Sequence, residues 1–164
     1  MPSVNFEHII KEYHPMIYKI CRVYADIIDF EDLYQEVLVN IWKSLKNFQG
    51  KSKLSTWIYR VTLNTAMTYY RNEKKRQTKT DEFSVEIPSL QDDDSGEKEK
   101  QIEHLYNAIS QLKKEDRSVI ILYLEEKSYE EISEITGLTI SNVGVKINRI
   151  KKKLFELLKG SNNG

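Results

Sequence analysis

Apolar residues recur along this chain at spacings of three and four over most of its length, and nowhere do they alternate with a period of two for long enough to make a strand. Phe6, Ile9, Ile10, Tyr13, Met16, Ile17, Ile20 and Tyr24 trace one face of a first helix, which Pro15 is expected to kink or restart because proline brings no N–H to the helix ladder. A second helix begins near Asp29, with Asp32 in its first turn, where negative charge meets the positive end of the helix dipole. It places Leu33, Val37, Leu38, Ile41, Trp42 and Leu45 on one face and stops near Asn47. Phe48-Gln49-Gly50-Lys51-Ser52-Lys53 reads as a loop, and a third helix follows with Leu54, Trp57, Ile58, Val61, Thr65 and Tyr69 inward.

The pattern breaks between residues 77 and 100, which hold few apolar side chains, Pro88 and the acidic run Asp92-Asp93-Asp94. Uncommitted loops above ~12–15 residues are uncommon inside compact domains, so this stretch predicts a flexible acidic linker. Beyond it, Ile102, Leu105, Ile109 and Leu112 mark one helix, and Val119, Ile120, Tyr123 and Leu124 another. Tyr129, Ile132 and Ile135 give a two-turn helix, Thr136-Gly137-Leu138 a tight turn, and Val143, Ile147, Ile150, Leu154 and Leu157 a long final helix, the layout of a helix-turn-helix. The expected fold is all-α: two small helical domains, residues 1–76 and 101–160, joined by a linker over 77–100.

Composition changes this picture in one respect. The 164 residues carry 25 basic and 25 acidic side chains, but the zero net charge averages unlike parts. Residues 1–76 hold 12 basic and 8 acidic groups, 77–100 hold 3 and 8, and 101–164 hold 10 and 9. The basic excess ends the first part in Arg71, Lys74, Lys75 and Arg76 and falls in the last part on Lys146, Arg149, Lys151, Lys152 and Lys153, so two candidate phosphate footprints flank an acidic stretch. No apolar run approaches the ~20 residues that cross a bilayer, and the first residues lack a basic region followed by an apolar one. The expectation is a cytosolic, unprocessed protein with no membrane insertion. The single Cys21, among apolar helical positions, reads as a buried structural thiol.

The helix-turn-helix reading rests on residue types at fixed offsets. Gly137 follows the small Ser133 by four residues and suits the left-handed backbone of a sharp turn, and Ile132, Leu138, Val143 and Ile147 would fill the wedge between the helices. The solvent side of the second helix then offers Ser141, Asn142, Lys146, Asn148 and Arg149, groups suited to base edges and phosphates, with Lys151, Lys152 and Lys153 trailing toward backbone contacts. A plain helical hairpin with a solvated basic face would share this pattern. In the first domain Trp57, Tyr59, Tyr69 and Tyr70 interleave with Arg60, Arg71, Lys74, Lys75 and Arg76, with Asn64 and Thr68 between, as binding of an unpaired strand needs. Trp57 keeps register with Leu54, Ile58 and Val61 and so reads as core; Tyr59 and Tyr70 fit stacking and burial equally.

Asp26, Asp29, Glu31, Asp32 and Glu36 cluster at the start of the second helix. Their spacing matches no calcium loop, which leaves solvated surface or a docking face for a basic partner. Gly50-Lys51-Ser52 mimics the end of a phosphate-binding loop, but Leu45 stands where the first glycine belongs and no strand precedes it. His8, His14 and His104 lie far apart and pair with no nucleophile. No enzyme activity, metal, cofactor or small-molecule substrate is expected.

The run Asp32-Leu33-Tyr34-Gln35-Glu36-Val37 with Trp42, then Phe48-Gln49-Gly50-Lys51-Ser52-Lys53-Leu54-Ser55-Thr56-Trp57-Ile58-Tyr59-Arg60-Val61 and Asn64, resembles the second region of extracytoplasmic-function (ECF) bacterial sigma factors, of the sigma-70 type. Leu112, Arg117, Tyr129 through Gly137, and Asn142 through Lys151 resemble the same family's fourth region. The resemblance implies a dissociable specificity subunit of bacterial RNA polymerase with no catalysis of its own, partnered by the polymerase core through its clamp helices and flap, by promoter DNA and by an anti-sigma factor. It maps docking on the clamp helices of the largest subunit to Asp32, Gln35, Glu36, Leu38, Val39 and Trp42. Reading of the −10 element and an extruded base falls to Phe48, Gly50, Lys51, Ser52, Asn64, Thr68 and Arg71, beside the basic residues Arg60, Lys74, Lys75 and Arg76. The helix-turn-helix reads the −35 element, and the linker threads toward the polymerase active centre. Gly144 departs from the family, which often has a basic or polar side chain there, and no third-region module fits between the two domains. The competing readings are a dimeric helix-turn-helix regulator, which would need a dimerisation surface and no docking helix, and a helical adaptor, which would not need two basic patches.

Overall fold

The computed structural model describes residues 5–79 and 96–162, and among them every regular element is helical. The chain divides into two compact units between residues 85 and 86. The first holds α1 (Phe6–Val23), α2 (Phe30–Ser44), a 3₁₀ turn at Leu45–Asn47 and α3 (Leu54–Lys79); the second holds α4 (Glu97–Ile109), α5 (Lys114–Leu124), α6 (Tyr129–Thr136) and α7 (Ile140–Asn162).

In the first unit, α1 starts where the Asn5 side chain accepts from the Glu7 N–H at 3.0 Å, and it runs as one helix through Pro15 without restarting. Asp29 caps α2, its carboxylate accepting from the Asp32 N–H at 3.1 Å, which places the expected start correctly. The three helices pack against one another on Ile9, Ile17, Ile20, Leu33, Ile41 and Ile58, all fully buried. Cys21 belongs to this core, and burial pushes its thiol up to about 12. Two expectations about inward faces need correction. Trp42, assigned to the inner stripe of α2, is 55% exposed. On α3 the buried set is Thr56, Ile58, Tyr59, Thr62, Leu63, Thr65, Ala66 and Tyr70, whereas Leu54, Trp57, Val61 and Tyr69 are only half-buried. α3 packs on both α1 and α2, so its buried arc is wider than one stripe.

The linker bounds also shift. α3 continues to Lys79, with the Gln77 amide donating to the Ile27 carbonyl at 3.1 Å, and α4 already begins at Glu97 after its N-cap Gly96. The rest of the stretch assigned to the linker lies outside the described residues.

In the second unit, α6 and α7 form the helix-turn-helix. Ser128 caps α6, accepting from the Glu131 N–H at 3.1 Å. Gly137 ends it at φ +82°, in the left-handed region, with its N–H donating to the Ser133 carbonyl at 2.9 Å. Thr139 then accepts from the Asn142 N–H at 3.1 Å and starts α7. Ile132, Val143 and Ile147 fill the wedge completely buried, with Leu138 half-buried at its edge. Arg117, only 3% exposed, donates to the carbonyls of Ser110 and Leu112 and so ties down the turn between α4 and α5.

Candidate polymerase and promoter interfaces

Asp32, Gln35, Glu36, Val39 and Trp42 are exposed on one face of α2, at the three- and four-residue steps that align side chains along a helix; Leu38 is half-buried beside them. Val39 is 42% exposed, so an apolar pair with Trp42 ends a face that begins in carboxylates. The acidic cluster is not one site. Asp26 accepts from the Tyr70 hydroxyl at 3.3 Å and Asp29 serves as a helix cap, which leaves Glu31, Asp32 and Glu36 facing solvent.

The loop and α3 form a second face. Phe48 and Trp57 pack ring to ring at 5.2 Å, so both are half-buried, and Gly50 turns the loop at φ +73°. A left-handed backbone alone accounts for glycine there. Lys51 is exposed and Ser52 half-buried. At 3.6 residues per turn, Arg60, Asn64, Thr68, Arg71, Lys74 and Lys75 share one side of α3, and all but the half-buried Arg60 are exposed. Arg76 points elsewhere and bridges to Glu73 at 2.9 Å. Tyr59 and Tyr70 are buried, 5% and 7% exposed, which decides against their stacking on bases.

Between α2 and α3 lies an open polar cavity of about 280 Å³ lined by Glu36, Asn40, Asn64, Thr65, Thr68, Tyr69 and Asn72. Its floor is internally satisfied: the Asn40 amide donates to Thr65 Oγ1 at 3.0 Å, and that hydroxyl donates to the Val61 carbonyl at 2.7 Å. Its rim, Glu36, Asn64, Thr68 and Asn72, is exposed, and it offers a carboxylate, two amides and a hydroxyl to a ligand. Burial, then Asp32, Glu73 and Glu36, raise the Tyr69 hydroxyl above its usual pKa, so the tyrosine presents a neutral O–H. Glu36, assigned to docking, thus borders the cavity as well.

On α7, Ser141, Asn142, Asn148, Lys151, Lys152 and Lys153 are exposed. Lys151 lies 4.3 Å from the centre of the Tyr123 ring, and a hydrogen bond with Tyr123 raises its pKa, so it is held cationic. Lys146 and Arg149 both meet Asp116 of α5, at 3.1 and 3.3 Å. Sequence reasoning passed over Asp116, whose place in the first turn of a helix already explains an acid. It also passed over Val145 and Ile140, 65% and 51% exposed on α7. Gly144 lies against Tyr129, whose Cε2 would stand 3.4 Å from a Cβ added there. An alanine methyl fits that distance, so Gly144→Ala should raise stability by about 0.5–1 kcal/mol. Thermal unfolding of the variant checks this through an increase in midpoint.

One helical module carries an acidic and apolar exposed face beside a basic, polar-pocketed helix and the other a basic helix-turn-helix, an arrangement suited to a DNA-binding protein with a protein partner. Known families match both modules: sigma-70 region 2 over residues 9–76 and sigma-70 region 4 over residues 102–154. RNA polymerase sigma factor YlaC of Bacillus subtilis is 30% identical over 155 residues, covering 92% of this chain and 90% of its own. The ECF RNA polymerase sigma-E factor of Haemophilus influenzae is 26% identical over 160 residues, with 91% and 85% covered. Among solved structures, the sigma factor RpoE, in complex with the anti-sigma factor NepR from Bartonella quintana, shares the fold at a TM-score of 0.78 and 23% identity, over 94% of this chain and 96% of that one. The chain belongs to the ECF group of the sigma-70 family of RNA polymerase sigma factors. It is a transcription initiation factor whose partners are RNA polymerase core and promoter DNA, and the reading as a stand-alone dimeric regulator is set aside. Sigma factors are not enzymes but initiation subunits.

Proposed function

We propose that the first unit docks on the clamp helices of the polymerase through Asp32, Gln35, Glu36, Leu38, Val39 and Trp42 and opens the −10 element along α3, while the second reads the −35 element through α7. The chain itself catalyses nothing. The observation that carries this reading is the cavity between α2 and α3, where exposed Asn64 and Thr68 sit at the rim beside the Arg71, Lys74 and Lys75 stripe. Cations hold a phosphate backbone while a polar recess takes one unstacked base, whose edge Glu36, Asn64 and Asn72 can satisfy. Lys51 and Ser52 extend the contact into the loop, with Phe48 and Gly50 setting its shape. Site of action follows from the partner: a factor of core polymerase works where the chromosome is, and no described helix is long and apolar enough to cross a membrane.

Domain bounds on this reading are residues 1–79 for docking and melting, a connecting stretch over 80–96, and 97–160 for −35 recognition, slightly narrower at the connector than the charge pattern implies. An anti-sigma protein is a further partner, a reading supported by the fold shared with a sigma factor solved in such a complex.

The test is reconstitution. Purified chain mixed with core polymerase and promoter fragments should give initiation at specific sites, whereas the free chain should bind the same duplexes only weakly, since two small footprints gain when one contact makes the second intramolecular. Nanomolar binding of one promoter by the free chain at physiological salt would count against this division of labour.

A further inference from the structure

Two ion pairs that are distant in sequence converge on a single carboxylate oxygen. Asp116 Oδ1 accepts from Lys146 Nζ at 3.1 Å and from Arg149 Nη2 at 3.3 Å. The acid is 8% exposed as a residue, and the side chains of Lys146 and Arg149 are 26% and 62% exposed. The two cations stand three residues apart on α7, so they project from one face of the recognition helix. Arg149 keeps most of its five N–H donors after this contact, and Lys146 two of its three.

We propose that Asp116 is a positioning residue for −35 recognition: it fixes the directions of Lys146 and Arg149 so that their remaining donors meet base edges, and it withholds one positive charge from phosphates of any sequence. This rests on the reading of Lys146 and Arg149 as DNA contacts. Long cationic side chains left free follow whichever acceptor is nearest, and phosphate oxygens outnumber base acceptors along a groove. A partly buried carboxylate that binds both heads removes that freedom before DNA arrives. Its charge also opposes that of the duplex, which lowers sequence-independent attraction while leaving oriented contacts in place. A carboxylate that only clamped α5 to α7 would change affinity for all sequences alike.

The experiment uses holoenzyme reconstituted from the full chain. Duplexes randomised over the upstream element are selected with the unmodified holoenzyme, and single-base variants of the preferred sequence are then titrated at several salt concentrations. Lys146→Ala and Arg149→Ala are expected to reduce discrimination about tenfold at one base pair each, as a lost base contact does. Asp116→Asn, close in shape, is expected to flatten discrimination at those same base pairs, to bind the disfavoured sequences more tightly, and to steepen the dependence of log affinity on log salt by up to about 0.9. Asp116→Glu keeps the charge but moves the carboxylate by a methylene; it should keep the salt dependence of the unmodified protein and still lose discrimination, which covers the case in which the asparagine variant unfolds. Asp116 variants that keep full discrimination, whatever their melting temperature, overturn the proposal. If instead Lys146→Ala and Arg149→Ala leave discrimination unchanged, the assignment of those two side chains to DNA fails, and the proposal falls with it for that separate reason.

Discussion

Holoenzyme assembly is expected to fail when Asp32 and Glu36 are both replaced by lysine, with the chain still folded. The two carboxylates stand one turn apart on the exposed face of α2, away from Leu33, Val37 and Ile41, which carry its packing. Exposed substitutions remote from packed groups change stability by about 0.5 kcal/mol or less, and loss of a favourable charge from the first turn at Asp32 adds about 0.3–1 kcal/mol. An interface charge that becomes a like charge costs far more: close pairs couple by about 1.5–7 kcal/mol, so two reversals should lower affinity for core polymerase by more than about 100-fold. Gel filtration of the double variant with core polymerase, beside its far-ultraviolet circular dichroism, makes the measurement. Co-elution at the unmodified level would return both side chains to ordinary solvated surface. The single variants carry further information, because Glu36 also borders the cavity. Glu36→Lys alone should bind core polymerase less weakly than the double variant and should open promoters poorly once bound. Trp42→Ala tests the apolar end of the same face, where an exposed tryptophan is the residue type that most often dominates an interface.

The elements were legible in the chain because their periodicity is helical and several helix ends are marked in local chemistry. Asp29 before α2 and Gly137 after α6 act within three or four residues of themselves, a range that periodicity and capping rules cover, whereas the Ser128 cap of α6 came only with the structure. The inward face of α3 was legible only at Ile58 and Thr65, and the reason the rest escaped is specific. Thr62 and Thr65 donate their hydroxyls to the carbonyls of Ile58 and Val61 at 2.8 and 2.7 Å, so these polar residues enter the core already satisfied. Tyr70 does likewise by donating to Asp26, 44 residues away. A hydrophobic stripe drawn through Trp57, Val61 and Tyr69 therefore lies to one side of the true one. The candidate sites divide in the same manner. Asn64, Thr68 and Arg71 were visible as a stripe on one helix, but the cavity that gathers Asn64 and Thr68 with Glu36 and Asn40 needs a second helix in place. Asp116 was invisible because its two partners lie 30 and 33 residues further along the chain.

Strand opening, not promoter binding, is the step expected to suffer when Asn64 or Arg71 becomes alanine. Both side chains are exposed on α3, so their truncation leaves no buried group unpaired and should not unfold the first unit. Asn64 reaches the cavity rim from the same side of the helix that carries Arg71, and on the proposed reading the amide meets a base edge and the guanidinium the adjoining phosphate. These contacts exist only once a base has left the duplex, because a stacked base cannot enter a recess between two helices. Their loss therefore acts on the equilibrium between closed and open complexes and spares the closed complex, which the helix-turn-helix and the polymerase hold. A good side-chain hydrogen-bond contact to a base edge is worth about 1–3 kcal/mol, a reduction of roughly five- to 150-fold in the open fraction. Thr68→Ala, which removes one hydroxyl at the rim, should fall at the lower end of that range. Permanganate reactivity of −10 thymines measures opening, and retardation of the closed complex at low temperature measures binding on the same fragments. Normal reactivity with Asn64→Ala and Arg71→Ala holoenzymes would place the melting surface on another side of α3, whereas reduced closed-complex retention would make these residues duplex contacts.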